Sequence, residues 1–201
     1  MVEKLSQAIQ PLLDKPFVFF GHSMGALIAF ELTRRLRQNG LPQPNALFIS
    51  ACGAPQILDL QSPLHTLPDD EFVTSLKKLN GIPLEVLQNK EMLNLFLPVL
   101  RADFKLIETY KYIHDEPLSL PIIVFGGLDD ERVSRERLEG WAVQTSGRFE
   151  VTYFPGDHFF INSEKESVIE TIIGELASGQ VSIPRKEQER GYSTTSHLNN
   201  G

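Results

Sequence analysis

Val2, Leu5, Ile9 and Leu12 recur at the spacing that lines one face of a helix, so the pattern predicts an amphipathic helix over 2–13, closed by Pro16. The next apolar run is different. FVFF at 17–20 is short, continuous and aromatic, as a strand buried on both faces should be. Helical spacing returns in ALIAFELTRRLRQNG at 26–40, with Arg34, Arg35 and Arg37 near its end and Gly40 as a stop. ALFIS at 46–50, IIVFGG at 122–127 and FEVTYF at 149–154 read as further buried strands. Helices are predicted over 134–145 and over 163–177, the second with Ser163 as its N-cap.

Strands that alternate with helices pair in parallel and are covered on both faces, which predicts an α/β fold. The rhythm breaks between 53 and 120, where two helical patterns, 68–79 and 83–113, replace any strand. Pro98 is expected to bend or split the longer one. A helical insertion of this length is a candidate lid; the plainer alternative is extra helical packing without a function. The polar, aperiodic segment 178–201 reads as a disordered tail after a single domain over 1–177, which sets His197 aside.

Composition narrows the possibilities. With 201 residues, 41% apolar and 22% charged, the chain fits a soluble domain with a core. A net charge of -7 argues against nucleic acid as a partner. No apolar run approaches the roughly 20 residues that span a bilayer. The N-terminal residues lack the shape of a secretory signal, and the lone Cys52 excludes an internal disulfide, so a cytoplasmic location is expected. Cys52 reads as a small core residue. Nothing has metal-ligand spacing or the form of a phosphate-cradling loop.

The chemistry begins at GHSMG, 21–25, where a predicted strand gives way to a helix. A serine on such a sharp turn has a strained backbone and an exposed hydroxyl, and neighbouring glycines let the turn close. The N–H of Met24 can then face the oxygen that gains charge when Ser23 attacks a carbonyl. Ser23 needs a base. His22 adjoins it and is expected to point away; His65 and His114 flank the insertion. His158, in FPGDHFF, follows the last strand, on the edge where a parallel sheet presents its chemistry. A carboxylate should orient that imidazole. Asp129 and Asp130, after the third strand, are candidates that spacing barely separates, while Asp157 adjoins His158 and is badly placed. The order Ser, Asp, His is that of the α/β-hydrolase fold.

GHSMGALIAFEL, the run over 67–112, VFGGLDDERVS and FPGDHFF together resemble the type II (external) thioesterases of nonribosomal peptide and polyketide synthesis, over about residues 5–176. By that resemblance the nucleophile is Ser23 and the base His158. A D-x-x-V pattern, Asp130 to Val133, makes Asp130 the third member. The implied substrates are acyl or aminoacyl thioesters on the phosphopantetheine arms of carrier domains. The partners are those domains, with no cofactor of the chain's own. The resemblance also implies that the fold's early strands, and the loop giving a second oxyanion N–H, precede the position of Met1. On that expectation the 17–20 strand is an unpaired edge prone to pairing with other chains, and the chain alone is a poor catalyst. Three other readings remain in view: a serine acyltransferase, another α/β-hydrolase esterase, or a remnant that binds carrier domains without turnover. The transferase would need an arginine for a carboxylate, and Arg34 to Arg37 read instead as helix-end charge.

Overall fold

The computed structural model describes residues 1–57, 63–78, 84–179 and 181. Most of the segment expected to be a tail, residues 180 and 182–201, lies outside them, as do 58–62 and 79–83 of the insertion.

Among the described residues four parallel strands, β1 (Phe19–His22), β2 (Leu47–Ser50), β3 (Ile122–Gly127) and β4 (Phe149–Phe154), form one sheet in sequential order. Alternating side chains go to opposite faces of a strand, and both faces here are apolar. Leu47, Ile49, Ile122 and Val124 pack with Leu27 and Phe30 of α2 (Met24–Gln38) and with Leu138 and Trp141. Phe48, Ile123 and Phe125 pack with Phe160 and with Val168 of α8 (Lys165–Ala177). That two-sided burial is complete along β2 and β3, which is why they read as nearly unbroken apolar runs, while β1 and β4 are only partly buried. The fold class is therefore α/β with helices on both faces.

β1 lies two residues beyond the expected 17–20. Gly21 and His22 stay in register with Ile49 and Ser50, and the chain turns only at Ser23, whose N–H still bonds the Ser50 carbonyl at 2.7 Å. Among the described residues β1 forms an edge of the sheet, and Phe20 is exposed there. The expected helix over 2–13 is α1 (Val2–Ile9) followed by a 3₁₀ turn, Gln10–Leu12. At its C-terminus α2 ends as predicted: Gly40, at φ 64°, and Leu41 return their N–H groups to Arg37 and Leu36 in a Schellman motif.

The insertion contains α3 (Asp69–Lys78), α4 (Leu84–Gln88) and α5 (Lys90–Glu108). Phe72, Leu76 and Leu97 form a core of their own with Leu93, Leu100 and Phe104. Pro98 does not split the helix. It lies within α5 on the exposed side, where Asn94 is also exposed, so the carbonyl that loses its partner faces water. The break comes at Asn89, whose Oδ1 accepts from the N–H groups of Glu91 and Met92. Ser163 is not an N-cap either. It ends the short α7 (Phe160–Ser163), its hydroxyl bonds the Phe160 carbonyl, and α8 starts after Glu164. The helix expected over 134–145 is α6 (Arg135–Glu139), capped by Ser134, running on as a 3₁₀ turn, Gly140–Gln144.

Candidate active site

Ser23 occupies the step from β1 to α2 at φ 52°, ψ −118°, a conformation costly for a residue with a side chain. Gly21 makes the turn possible. A Cβ there would lie 2.3 Å from the Gly25 carbonyl oxygen and 2.5 Å from the Ala26 nitrogen, both backbone atoms that cannot swing aside. A Cβ on Gly25 would meet nothing within 4 Å, so the crowding expected of both glycines falls on Gly21. Gly21→Ala should cost about 3 kcal/mol of stability, read by denaturant unfolding; a loss below about 0.5 kcal/mol would mean the turn adapts freely.

His158 is brought to the same edge by the loop after β4. Gly127, at the end of β3, lies so close to that loop that a Cβ would sit 2.4 Å from the Asp157 carbonyl oxygen. The Asp129 N–H bonds the Gly156 carbonyl at 2.9 Å and the Leu128 N–H bonds that of Phe154 at 2.8 Å. The two loops are thereby stitched together, with Asp130 on one and His158 on the other.

The structure joins three of the sequence candidates. His158 Nε2 is 3.1 Å from Ser23 Oγ, and its Nδ1 is 2.9 Å from Asp130 Oδ2. His158 is buried and Ser23 is partly open to solvent. The other oxygen of Asp130 accepts from the N–H groups of Arg132 at 2.8 Å and Val133 at 3.3 Å, and Val133 is buried. That is the physical content of the D-x-x-V spacing: the valine anchors a turn that aims the aspartate. Burial pushes the Asp130 carboxyl up, but its bond to His158, the charge of that ring and the two N–H groups outweigh it and hold the group below the usual carboxylate range. Met24 opens α2 directly after Ser23, so its N–H has no carbonyl partner within the helix.

Other candidates have different partners. Asp129 is exposed, and the Asp157 carboxylate accepts from the Phe159 N–H. His65 bonds Glu108 within the insertion, and the His114 ring lies against Tyr112. Cys52 is buried, which pushes its thiol up to about 12.

Three features are not evident from the sequence. His22 does not point away from the site: its ring centroid is 5.3 Å from that of His158, and its Nδ1 shares a hydrogen bond of 3.0 Å with Ser50 Oγ. Arg34 is buried between the rings of Phe30 and Tyr112, bonds Glu31 and donates to the Ile113 carbonyl, while Arg37 grips Asp115 and the carbonyls of Glu116 and Pro117. These arginines fasten the segment that returns from α5 to β3. The Tyr110 hydroxyl adds a bond of 2.7 Å to Glu31. A basic helix end followed, far along the chain, by a Tyr- and Asp-bearing segment was the only available signal, and it fits many surfaces.

Burial first, then the charge of His158, lower the pKa of His22 from 6.5 to about 4; Asp130 opposes this and Arg132 adds to it. A histidine with a folded-state pKa below its unfolded-state value binds its proton more readily in the unfolded chain. Its effect on stability is nil above 6.5 and grows unfavourable as the pH falls toward about 4. Thermal midpoints of the parent should therefore drop across that window more steeply than those of His22→Phe. Parallel curves would contradict the assignment.

The model of the thioesterase domain family matches residues 1–176, and the chain belongs to that family. It is 47% identical over 176 residues to the gramicidin S biosynthesis protein GrsT of Aneurinibacillus migulanus, covering 88% of this chain and 69% of GrsT. Among solved structures it matches ClbQ from the colibactin NRPS/PKS pathway with a TM-score of 0.83 at 33% identity, over 88% of this chain and 75% of ClbQ. It matches YbtT, a type II thioesterase from the yersiniabactin NRPS/PKS pathway, with a TM-score of 0.77 at 32% identity, over 90% of this chain and 74% of YbtT. The sheet is thus that of an α/β-hydrolase, and the family's reaction class is hydrolysis of thioesters. Among the described residues no helix is long and apolar enough to cross a membrane.

Proposed function

We propose that this chain hydrolyses acyl or aminoacyl thioesters from the phosphopantetheine arms of carrier domains, with Ser23 as nucleophile, His158 as base and Asp130 as the carboxylate that orients it. The observation that carries the reading is the unbroken run of hydrogen bonds from Ser23 Oγ through both nitrogens of His158 to Asp130. As Ser23 Oγ bonds to the thioester carbon, its proton passes to His158 Nε2, and the carbonyl oxygen takes the electron pair and faces the Met24 N–H. Collapse expels the thiolate, which takes the proton from Nε2 and leaves an acyl-serine. A thiolate is a good leaving group and needs little acid help. Water then attacks the acyl carbon as Nε2 takes its proton, and collapse of the intermediate passes that proton to Ser23 Oγ as the free acid leaves.

The insertion between β2 and β3 serves as the lid over the acyl group. Its separate core lets it act as a unit, and the Arg34 and Arg37 contacts fix its return. The acyl group arrives on the partner's arm, and no cofactor of the chain's own enters the proposed cycle. A cytoplasmic setting suits the buried, protonated Cys52.

Acyl transfer is the competing reading, but the arginines of α2 are engaged within the protein: Arg34 and Arg37 by protein oxygens, and Arg35 by Glu3 at 3.1 Å. The test is to incubate the chain with acylated carrier domain, with and without an acceptor alcohol or thiol. Free acid released at the same rate in both supports hydrolysis. An acyl group recovered on the acceptor supports the transferase, and tight carrier binding without release of acid supports a binding protein.

A further inference from the structure

The ring of His22 lies 5.3 Å from that of His158, and the proposed chemistry does not use it. It is held from three sides. Its Nδ1 shares a hydrogen bond with Ser50 Oγ, and Ser50 is buried at the end of β2 with its carbonyl bonded to the Ser23 N–H. The rings of Phe159 and Phe160, which follow His158, lie 5.8 and 6.2 Å from it. The ring of His158 is tilted 58° against it. Ser50 therefore ties both Ser23 and His22 to β2, and His22 forms a wall beside the imidazole.

We propose that His22 is a positioning residue for His158: an uncharged ring that seats the imidazole between Ser23 and Asp130 and leaves room for the positive charge the imidazole gains during turnover. The inference rests on the proposed role of His158 as base. When the Ser23 proton reaches Nε2, a buried imidazolium forms, paired on its far nitrogen with Asp130. A second cation at the distance of His22 would oppose that charge at the moment it appears, by about a hundredfold in rate at the effective dielectric of a protein site. Burial keeps His22 neutral at working pH and so removes that penalty. A histidine suits the position because its ring packs among aromatics while its nitrogen reaches Ser50.

The test compares His22→Phe, His22→Ala and His22→Lys in the full chain, with an acyl-pantetheine thioester as substrate. His22→Phe should keep kcat within roughly threefold of the parent, since a neutral ring remains. His22→Ala should lower kcat about tenfold with KM unchanged, because the imidazole loses its wall. His22→Lys should lower kcat about a hundredfold. Circular dichroism and thermal midpoints report whether each variant is folded. A folded Lys variant with parental kcat would overturn the proposal, and so would a Phe variant as impaired as Ala. If the Lys variant does not fold, the Phe and Ala pair decides: equal kcat in both overturns it. Ser23→Ala measured alongside keeps the readings apart, because a Ser23→Ala variant as active as the parent defeats the triad rather than the role of His22.

Discussion

Ser23→Ala is expected to lower kcat for thioester hydrolysis by about a million-fold relative to the parent chain, with little change in KM. The substitution removes one oxygen. It leaves the N–H of Met24, the insertion and the loop of His158 in place, so binding of the acyl group should persist. What is lost is the covalent route, since the imidazole 3.1 Å away has no hydroxyl left to deprotonate. Alanine also lacks a hydrogen-bonding group but still has a Cβ, so the strain at φ 52° remains and the fold should be unchanged. Thiol release with a chromogenic reagent measures the effect. A loss smaller than about tenfold would remove Ser23 from the chemistry.

The second large effect is expected from Asp130→Asn, about 10⁴ in kcat. The carboxylate accepts from His158 Nδ1 with one oxygen and from two backbone N–H groups with the other. An amide can keep the backbone contacts by presenting its oxygen to the turn. Its NH₂ then meets Nδ1 and selects the tautomer in which Nε2 carries the proton and cannot accept one from Ser23. The imidazolium also loses its counter-charge. Asp129→Asn, one position away on an exposed side chain, should stay within about twofold of the parent. Equal losses at the two positions would mean that general charge near the loop, rather than the bond to His158, matters.

This pair also marks how far the sequence could be read. β2 and β3 were legible because each is buried on both faces, and the serine turn was legible because a strand, a tight turn and a helix follow one another in a few residues. Which of two adjacent aspartates faces the imidazole depends on a turn closed by Val133, a contact that spacing cannot rank; only resemblance favoured Asp130. The offset of β1 has a similar origin, because glycine lowers strand propensity in isolation while the ladder to β2 extends through Gly21 all the same. Asn89 rather than Pro98 divides the long helical pattern, since a proline with its orphan carbonyl in water is tolerated and a side-chain cap starts a new helix. Sequence spacing hid His22 and the Arg34 and Arg37 contacts for another reason: their partners, Ser50 and residues 113–117, are distant along the chain and meet only in the fold.

The central claim is that Ser23, made nucleophilic by His158, carries the acyl group between thiol and water. Intact-protein and peptide mass spectrometry after rapid quenching with an acyl-pantetheine thioester tests it most directly. The account predicts an acyl mass on the peptide containing Ser23 in the parent chain, decaying as free acid appears, and none in Ser23→Ala or His158→Ala. Free acid released by the parent with no acyl group ever found on Ser23, or with the adduct on another residue, would contradict it.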